Sequence, residues 1–128
     1  MKERRKILIV DDNKMNIEML ADFLTSQRLR VATANSAEDF LARVGVIRPD
    51  FILMDVQMPL VDGLEATRRL RALPDAQIAN IPVIAITALA MPGDRENCLS
   101  AGANDYISKP VKLRELAVLI QKILGGKK

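Results

Sequence analysis

Three short apolar runs recur along this chain: Ile7-Leu8-Ile9-Val10, Phe51-Ile52-Leu53-Met54 and Val83-Ile84-Ala85-Ile86-Thr87. Each is too short for a helix and lacks polar alternation, the pattern of a strand covered on both faces. Two weaker strand candidates, Arg30 to Thr33 and Tyr106 to Ser108, complete the series. The stretches between them are amphipathic at helical spacing. Met15, Ile17, Met19, Leu20, Phe23 and Leu24 form one stripe, and Phe40, Leu41, Val44 and Ile47 a second behind a Ser36 N-cap. Pro59 and Asp62-Gly63 mark a loop before a third helix carrying Leu64, Ala66, Leu70 and Leu73. A fourth helix, with weak signals around Met91–Gly93 that suggest a loosely held start, runs from about Asp94 to Ala101 and closes at Gly102. A fifth, after Lys109-Pro110, carries Leu113, Leu116, Leu119, Ile120, Ile123 and Leu124. Five alternating strand–helix units predict an α/β fold: a five-stranded parallel sheet, helices on both faces, right-handed crossovers. No linker, repeat or composition break interrupts the chain, so residues 1–128 read as one domain with 1–6 and 125–128 as frayed tails.

Composition narrows what such a sheet can be used for. The chain has no histidine and one cysteine, Cys98. Imidazole-dependent triads, histidine metal ligands and internal disulfides are therefore excluded, and a lone thiol fits a reducing compartment. The formal charge of +3 is unevenly placed. Lys2, Arg4, Arg5 and Lys6 outweigh Glu3 at the start, Lys127 and Lys128 add to it at the end, and the body from Ile7 to Gly126 is slightly acidic, at −2. With no Trp, one Tyr and three Phe, that body offers neither a cationic stripe nor the stacking platforms that nucleic acid binding uses. The longest apolar stretch, Val83 to Met91, lies between Pro82 and Pro92 and falls far short of the ~18 residues of a membrane span. No signal-peptide core follows the basic start. A soluble cytoplasmic protein that binds neither nucleic acid nor membrane is expected.

In a doubly wound sheet, ligands sit beyond the carboxyl ends of the strands, where the strand order reverses. Strand 1 ends in Asp11-Asp12, strand 3 in Asp55, strand 4 in Thr87 and strand 5 in Lys109. In an order 2-1-3-4-5, strands 1 and 3 are neighbours at ~4.8 Å, Asp12 faces Asp55, and the Lys109 stem can reach across. Carboxylates crowded at one rim repel unless a hard divalent cation joins them, and an all-oxygen ligand set suits Mg²⁺ over Zn²⁺. The Thr87 hydroxyl and Lys109 ammonium suit phosphoryl oxygens. Together they describe phosphoryl transfer to a carboxylate nucleophile. Singly, each residue has an ordinary structural use. Asp12 or Asn13 can cap the first helix, Asp55 can be a solvated loop acid, Thr87 a β-branched strand residue, and Lys109 a surface lysine with Pro110 opening the last helix. Tyr106 can be a half-buried strand aromatic, and Cys98 a small packing residue rather than a redox group. Their coincidence at four strand ends of one rim favours the chemical reading.

At Ile7-Leu-Ile-Val-Asp-Asp-Asn13, Ile52-Leu-Met-Asp-Val-Gln-Met-Pro59 with Asp62-Gly63, Val83-Ile-Ala-Ile-Thr-Ala88 and Tyr106-Ile-Ser-Lys-Pro110 the chain resembles the receiver domain of two-component response regulators, from Lys6 to Leu124. Within that family it looks most like single-domain cell-cycle regulators and the receivers of hybrid histidine kinases. The resemblance implies a flavodoxin-like strand order 2-1-3-4-5 and a phosphoacceptor at Asp55. It implies Mg²⁺, with Mn²⁺ as a substitute, held directly by Asp12 and Asp55, through water by Asp11, and by the Gln57 backbone carbonyl. Lys109 would pair with a phosphoryl oxygen, Thr87 would hydrogen-bond another, and Tyr106 would rotate as the switch. A cis Lys109–Pro110 bond would aim the lysine. The implied donor is a sensor histidine kinase or a histidine phosphotransfer protein, and the implied output is a protein partner at the face of the fourth helix, fifth strand and fifth helix. The chain would then not be a turnover enzyme; it would promote its own phosphorylation and slow dephosphorylation only.

With no room for an output module, a stand-alone regulator is the expected role; a phosphorelay intermediate or the receiver of a hybrid kinase is the alternative. A haloacid-dehalogenase-type phosphatase shares the aspartate nucleophile, Mg²⁺ and lysine, but needs a second aspartate two positions on, where this chain has Gln57. A flavodoxin-like cofactor carrier shares the sheet, but the first loop here is Asp11-Asp12-Asn13-Lys14-Met15, which would repel a nucleotide phosphate.

Overall fold

A computed structural model describes residues 5–88 and 93–125. The apolar runs become β1 (Lys6–Val10), β3 (Phe51–Asp55) and β4 (Val83–Thr87), and the weaker candidates β2 (Arg30–Ala34) and β5 (Asp105–Ser108). All pair in parallel in the order β2-β1-β3-β4-β5. Around them lie α1 (Lys14–Ser26), α2 (Ala37–Ile47), α3 (Gly63–Arg71), α4 (Ala76–Ala79), α5 (Asp94–Ser100) and α6 (Leu113–Gly125).

Strand side chains alternate between faces, and the core splits accordingly. Leu8, Val10, Ile52, Met54, Val83 and Ala85 pack under α2, α3 and α5 through Phe40, Val44, Ala66, Leu70 and Cys98. Ile7, Ile9, Phe51, Leu53, Ile84, Ile86 and Ile107 pack under α1 and α6 through Leu20, Leu24, Leu116 and Ile120. Each such fully buried aliphatic side chain contributes roughly 1.5–3 kcal/mol. The sheet is thus doubly wound, and its order reverses between β1 and β3.

Local chemistry sets the helix ends. The side chains of Asn13, Ser36, Asp62 and Asp75 accept the backbone N–H of Asn16, Asp39, Glu65 and Gln77, capping α1 to α4. At the C-terminal end of α5, Gly102 takes the left-handed conformation expected of it (φ 111°), and the Ala103 N–H reaches the Cys98 carbonyl at 3.1 Å. The N-terminus of α5, at Gly93, has no side-chain cap.

Several expectations need correction. There are six helices among the described residues, not five, because α4 folds in the connection after α3. It is stitched down by Arg71, whose guanidinium donates to the carbonyls of Ala79, Ile81 and Gly102 and to Asn104 Oδ1 at 2.7–3.0 Å. The fourth and fifth helices of the sequence reading are therefore α5 and α6. Pro110 does not open α6, which begins at Leu113; the Lys109–Pro110 bond before it is cis. Lys6 belongs to β1 and Gly125 to α6, so strand and helix each take in one residue of an expected tail. Expectations for residues 1–4, 89–92 and 126–128, the region around Met91 included, lie outside the described residues. No described helix is long and apolar enough to cross a membrane.

Candidate functional site

β1 and β3 are neighbours in register, with Val10 opposite Met54, so the residue level with Asp55 is Asp11. Asp12, expected to face Asp55, stands one step higher and is exposed, whereas Asp11 and Asp55 are buried. The strand period of two explains the difference: a shift of one residue moves a side chain from the covered rim to the solvent side. All three carboxylates nevertheless converge, each offering an oxygen within 4.8 Å of the others.

On the other side of Asp55 the register continues through Ile86 to Ile107, leaving Thr87 and Ser108 one step higher and Lys109 the next residue out. The Lys109 N–H donates to the Thr87 carbonyl at 2.8 Å, extending the ladder past the end of β5. From there its ammonium lies 2.8 Å from Asp55 Oδ1, closing over a carboxylate that is 2% exposed. Gln57, exposed in the loop after β3, turns its backbone N–H to the same oxygen at 3.3 Å. Thr87 is buried at the end of β4.

Charge at this rim is out of balance. Burial pushes the Asp11 carboxyl up to about 6; the Asn13 backbone N–H, 2.8 Å from Oδ1, opposes that, the charge of Asp55 adds to it, and Lys109 relieves part of it. One ammonium among three carboxylates leaves a deficit of positive charge. The donors are all carboxylate oxygens, with no thiol or imidazole, so the residues present fit a hard divalent cation of the Mg²⁺ type.

Two arrangements were not legible in the sequence. Gly63, first residue of α3, packs so closely on β3 that a Cβ there would lie 2.1 Å from the Asp55 carbonyl oxygen, and its N–H donates to the Val56 carbonyl at 2.9 Å. The Asp62-Gly63 pair announced a helix start, but not that this start is wedged against the candidate nucleophile's own backbone. Arg95 of α5 places its guanidinium 5.9 Å from the centroid of the half-buried Tyr106 ring on β5; an arginine on an uncapped helix carries no sequence signal of that contact. Cys98 is buried in the core, where burial, and then the nearby Asp94 charge, raises its pKa, as suits a packing residue.

Comparison with known proteins gives this geometry a family. The response regulator receiver domain profile matches residues 7–121. The polar-differentiation response regulator DivK of Brucella anthropi is 36% identical over 121 residues, covering 94% of this chain and 97% of that protein. The receiver domain of a sensor histidine kinase from Pseudomonas aeruginosa is 40% identical with a TM-score of 0.84, over 96% of this chain and 99% of that one; its structure has a magnesium ion coordinated in the active-site cleft. The receiver domain of a signal transduction histidine kinase from Syntrophus aciditrophicus is 35% identical with a TM-score of 0.88, over 97% and 92% of the two chains.

Proposed function

This chain belongs to the response regulator receiver domain family of two-component signalling, and from that premise we propose that it takes a phosphoryl group onto Asp55 and changes its α5–β5–α6 face in response. The observation that carries the proposal is Lys109 Nζ, 2.8 Å from Asp55 Oδ1 inside a cluster of three carboxylates.

The donor is a phosphohistidine on a sensor kinase or a phosphotransfer protein. An Asp55 oxygen attacks phosphorus, a P–O bond forms, and the P–N bond breaks with its electron pair leaving on the imidazole. Asp55 reacts as the carboxylate, so it surrenders no proton. Lys109 must move, because it covers Asp55 before the reaction; its ammonium passes from Oδ1 to a phosphoryl oxygen, where charge accumulates. Thr87, one step above the Asp55 level on the next strand, donates its hydroxyl to another. Asp12 and Asp55 would hold Mg²⁺ or Mn²⁺ directly, Asp11 through water, with the Gln57 backbone carbonyl completing the protein ligands. Magnesium, when bound, supplies the positive charge that the crowded carboxylates and the phosphoryl oxygens both lack.

The acyl phosphate carries about −1.5 to −2 charge in place of the single carboxylate charge of Asp55, at a rim bounded by Thr87. Thr87 drawn toward it opens room for Tyr106, and the α5–β5–α6 face presents a different surface to a downstream protein. Gln57 stands where a haloacid-dehalogenase phosphatase needs its acid, so the chain is a signalling protein rather than a turnover catalyst. A relay role beside a histidine kinase is the second reading, favoured by the likeness to two histidine-kinase receivers.

Acetyl phosphate with Mg²⁺ tests the assignment. Intact mass spectrometry is expected to show one added phosphoryl group, released in base and prevented by EDTA, and none on Asp55→Asn. Equal labelling of the variant would overturn it.

A further inference from the structure

At the end of the sheet away from the carboxylates, where β1 begins, a cavity of about 430 Å³ opens between α1 and α6. Its floor is apolar, formed by Phe23, Leu29, Ile120 and Leu124, and its polar edge is Arg5, Gln27 and Gln121. Phe23, Leu29 and Leu124 are only partly buried, although they pack on the core beneath α1 and α6.

Arg5 is the charged residue of this lining, and Arg28 and Arg30 flank the lining residue Leu29, with Asp22 and Asp50 the nearby acids. The Arg5 side chain is 48% exposed and only loosely paired, 3.6 Å from Asp50, whose other oxygen already accepts the Lys6 N–H at 2.7 Å. Arg28, exposed and left-handed (φ 66°), projects from between the lining residues Gln27 and Leu29. Arg30 is joined to Arg5 through its backbone, N–H to carbonyl at 2.8 Å. An apolar trough between two helices, with a cationic rim and two carboxamides, is complementary to an amphipathic helix with an acidic flank. The apolar floor offers nothing to a phosphate backbone or a free anion.

We propose that this groove docks a short amphipathic helix of a partner protein, its apolar stripe on Phe23, Leu29 and Leu124 and its acidic flank on Arg5 and Arg28. The groove lies at the opposite end of the strands from Asp55, so such a partner can stay bound while a phosphoryl donor occupies the other rim. The inference does not depend on the chemistry proposed for Asp55.

The probe is a labelled synthetic helix with leucines spaced i, i+3, i+4 and i+7 and glutamates beside them, titrated onto the full chain and followed by anisotropy and amide NMR. Saturable binding is expected, with shifts at Phe23, Leu29 and Ile120. Arg28→Glu alone, at an exposed site, and Arg5→Glu should each weaken it about tenfold while the melting transition stays cooperative. The same peptide with lysine for glutamate should bind at least about tenfold more weakly. Equal binding of the lysine peptide, shifts centred on the carboxylate rim, or no binding overturns the proposal. Two further outcomes reassign the groove and overturn it as well: groove shifts on deletion of residues 1–4 and 126–128 would give it to the chain's own ends, and concentration-dependent shifts without peptide to a second copy.

Discussion

Asp11 bears the cost of burying a carboxylate beside Asp55. Its folded-state pKa of about 6 lies above the ordinary aspartate value of 3.8, so between those values the folded chain holds more protons than the unfolded one. Stability of the metal-free protein therefore falls as pH rises through that window and levels off above it. Asp11→Asn removes the ionisation and keeps the shape. At pH 7.5 without metal the variant should be the more stable, by on the order of 1–3 kcal/mol, and the difference should vanish near pH 4. Urea melts at the two pH values check this; a wild-type advantage at pH 7.5 without metal would contradict it. Lys109 is the counterweight. Lys109→Ala removes the group that would meet the phosphoryl oxygens, so Asp55 labelling by acetyl phosphate should slow about a hundredfold, while Mg²⁺ still raises the melting temperature. Labelling at the wild-type rate would remove Lys109 from the chemistry.

The helices and strands that hold these groups were legible in proportion to how completely they are buried. β1, β3 and β4 are covered on both faces, and unbroken apolar runs can mean little else in a chain of this size; their last residues therefore pointed to the rim. β2 is an edge strand, exposed at Arg30, and its signal was correspondingly faint. α4 was missed because four residues make barely one turn, too few for a periodic stripe, and what holds it is a side-chain donor from the preceding helix, Arg71. The choice of Asp11 over Asp12 as the partner level with Asp55 hung on register, which motif spacing does not encode. The contact of α3 with β3 was equally hidden and has the sharpest consequence. Gly63→Ala puts a methyl group into the Asp55 carbonyl, a backbone atom that cannot swing aside. α3 must back away, and Asp55 with it. Destabilisation of at least about 2 kcal/mol in urea is expected, with labelling slower even under conditions where the variant is fully folded. A variant that matched wild type in both would mean that the helix start adjusts freely.

For the molecule as a whole, what matters is how a charge placed at the rim reaches a face made by other parts of the chain. On the function proposed, α5 would be the mover: its N-terminus lacks a side-chain cap, while its C-terminal turn at Gly102 is gripped by Arg71 from α3. A helix held at one end and without a side-chain cap at the other would pivot more easily than slide. Tyr106 stands beside that pivot under Arg95, and it is the single tyrosine in a chain without tryptophan, so ultraviolet emission reports this ring alone. On the function proposed, Thr87 would be the connection, because it ends the strand between Asp55 and Tyr106. Acetyl phosphate with Mg²⁺ should change Tyr106 emission in the wild type with the same time course as Asp55 labelling. In Thr87→Ala, labelling should persist while the emission keeps its unphosphorylated value, separating the chemistry from the switch. Emission that follows phosphorylation equally well without the Thr87 hydroxyl would mean that the signal reaches α5 and β5 by another route.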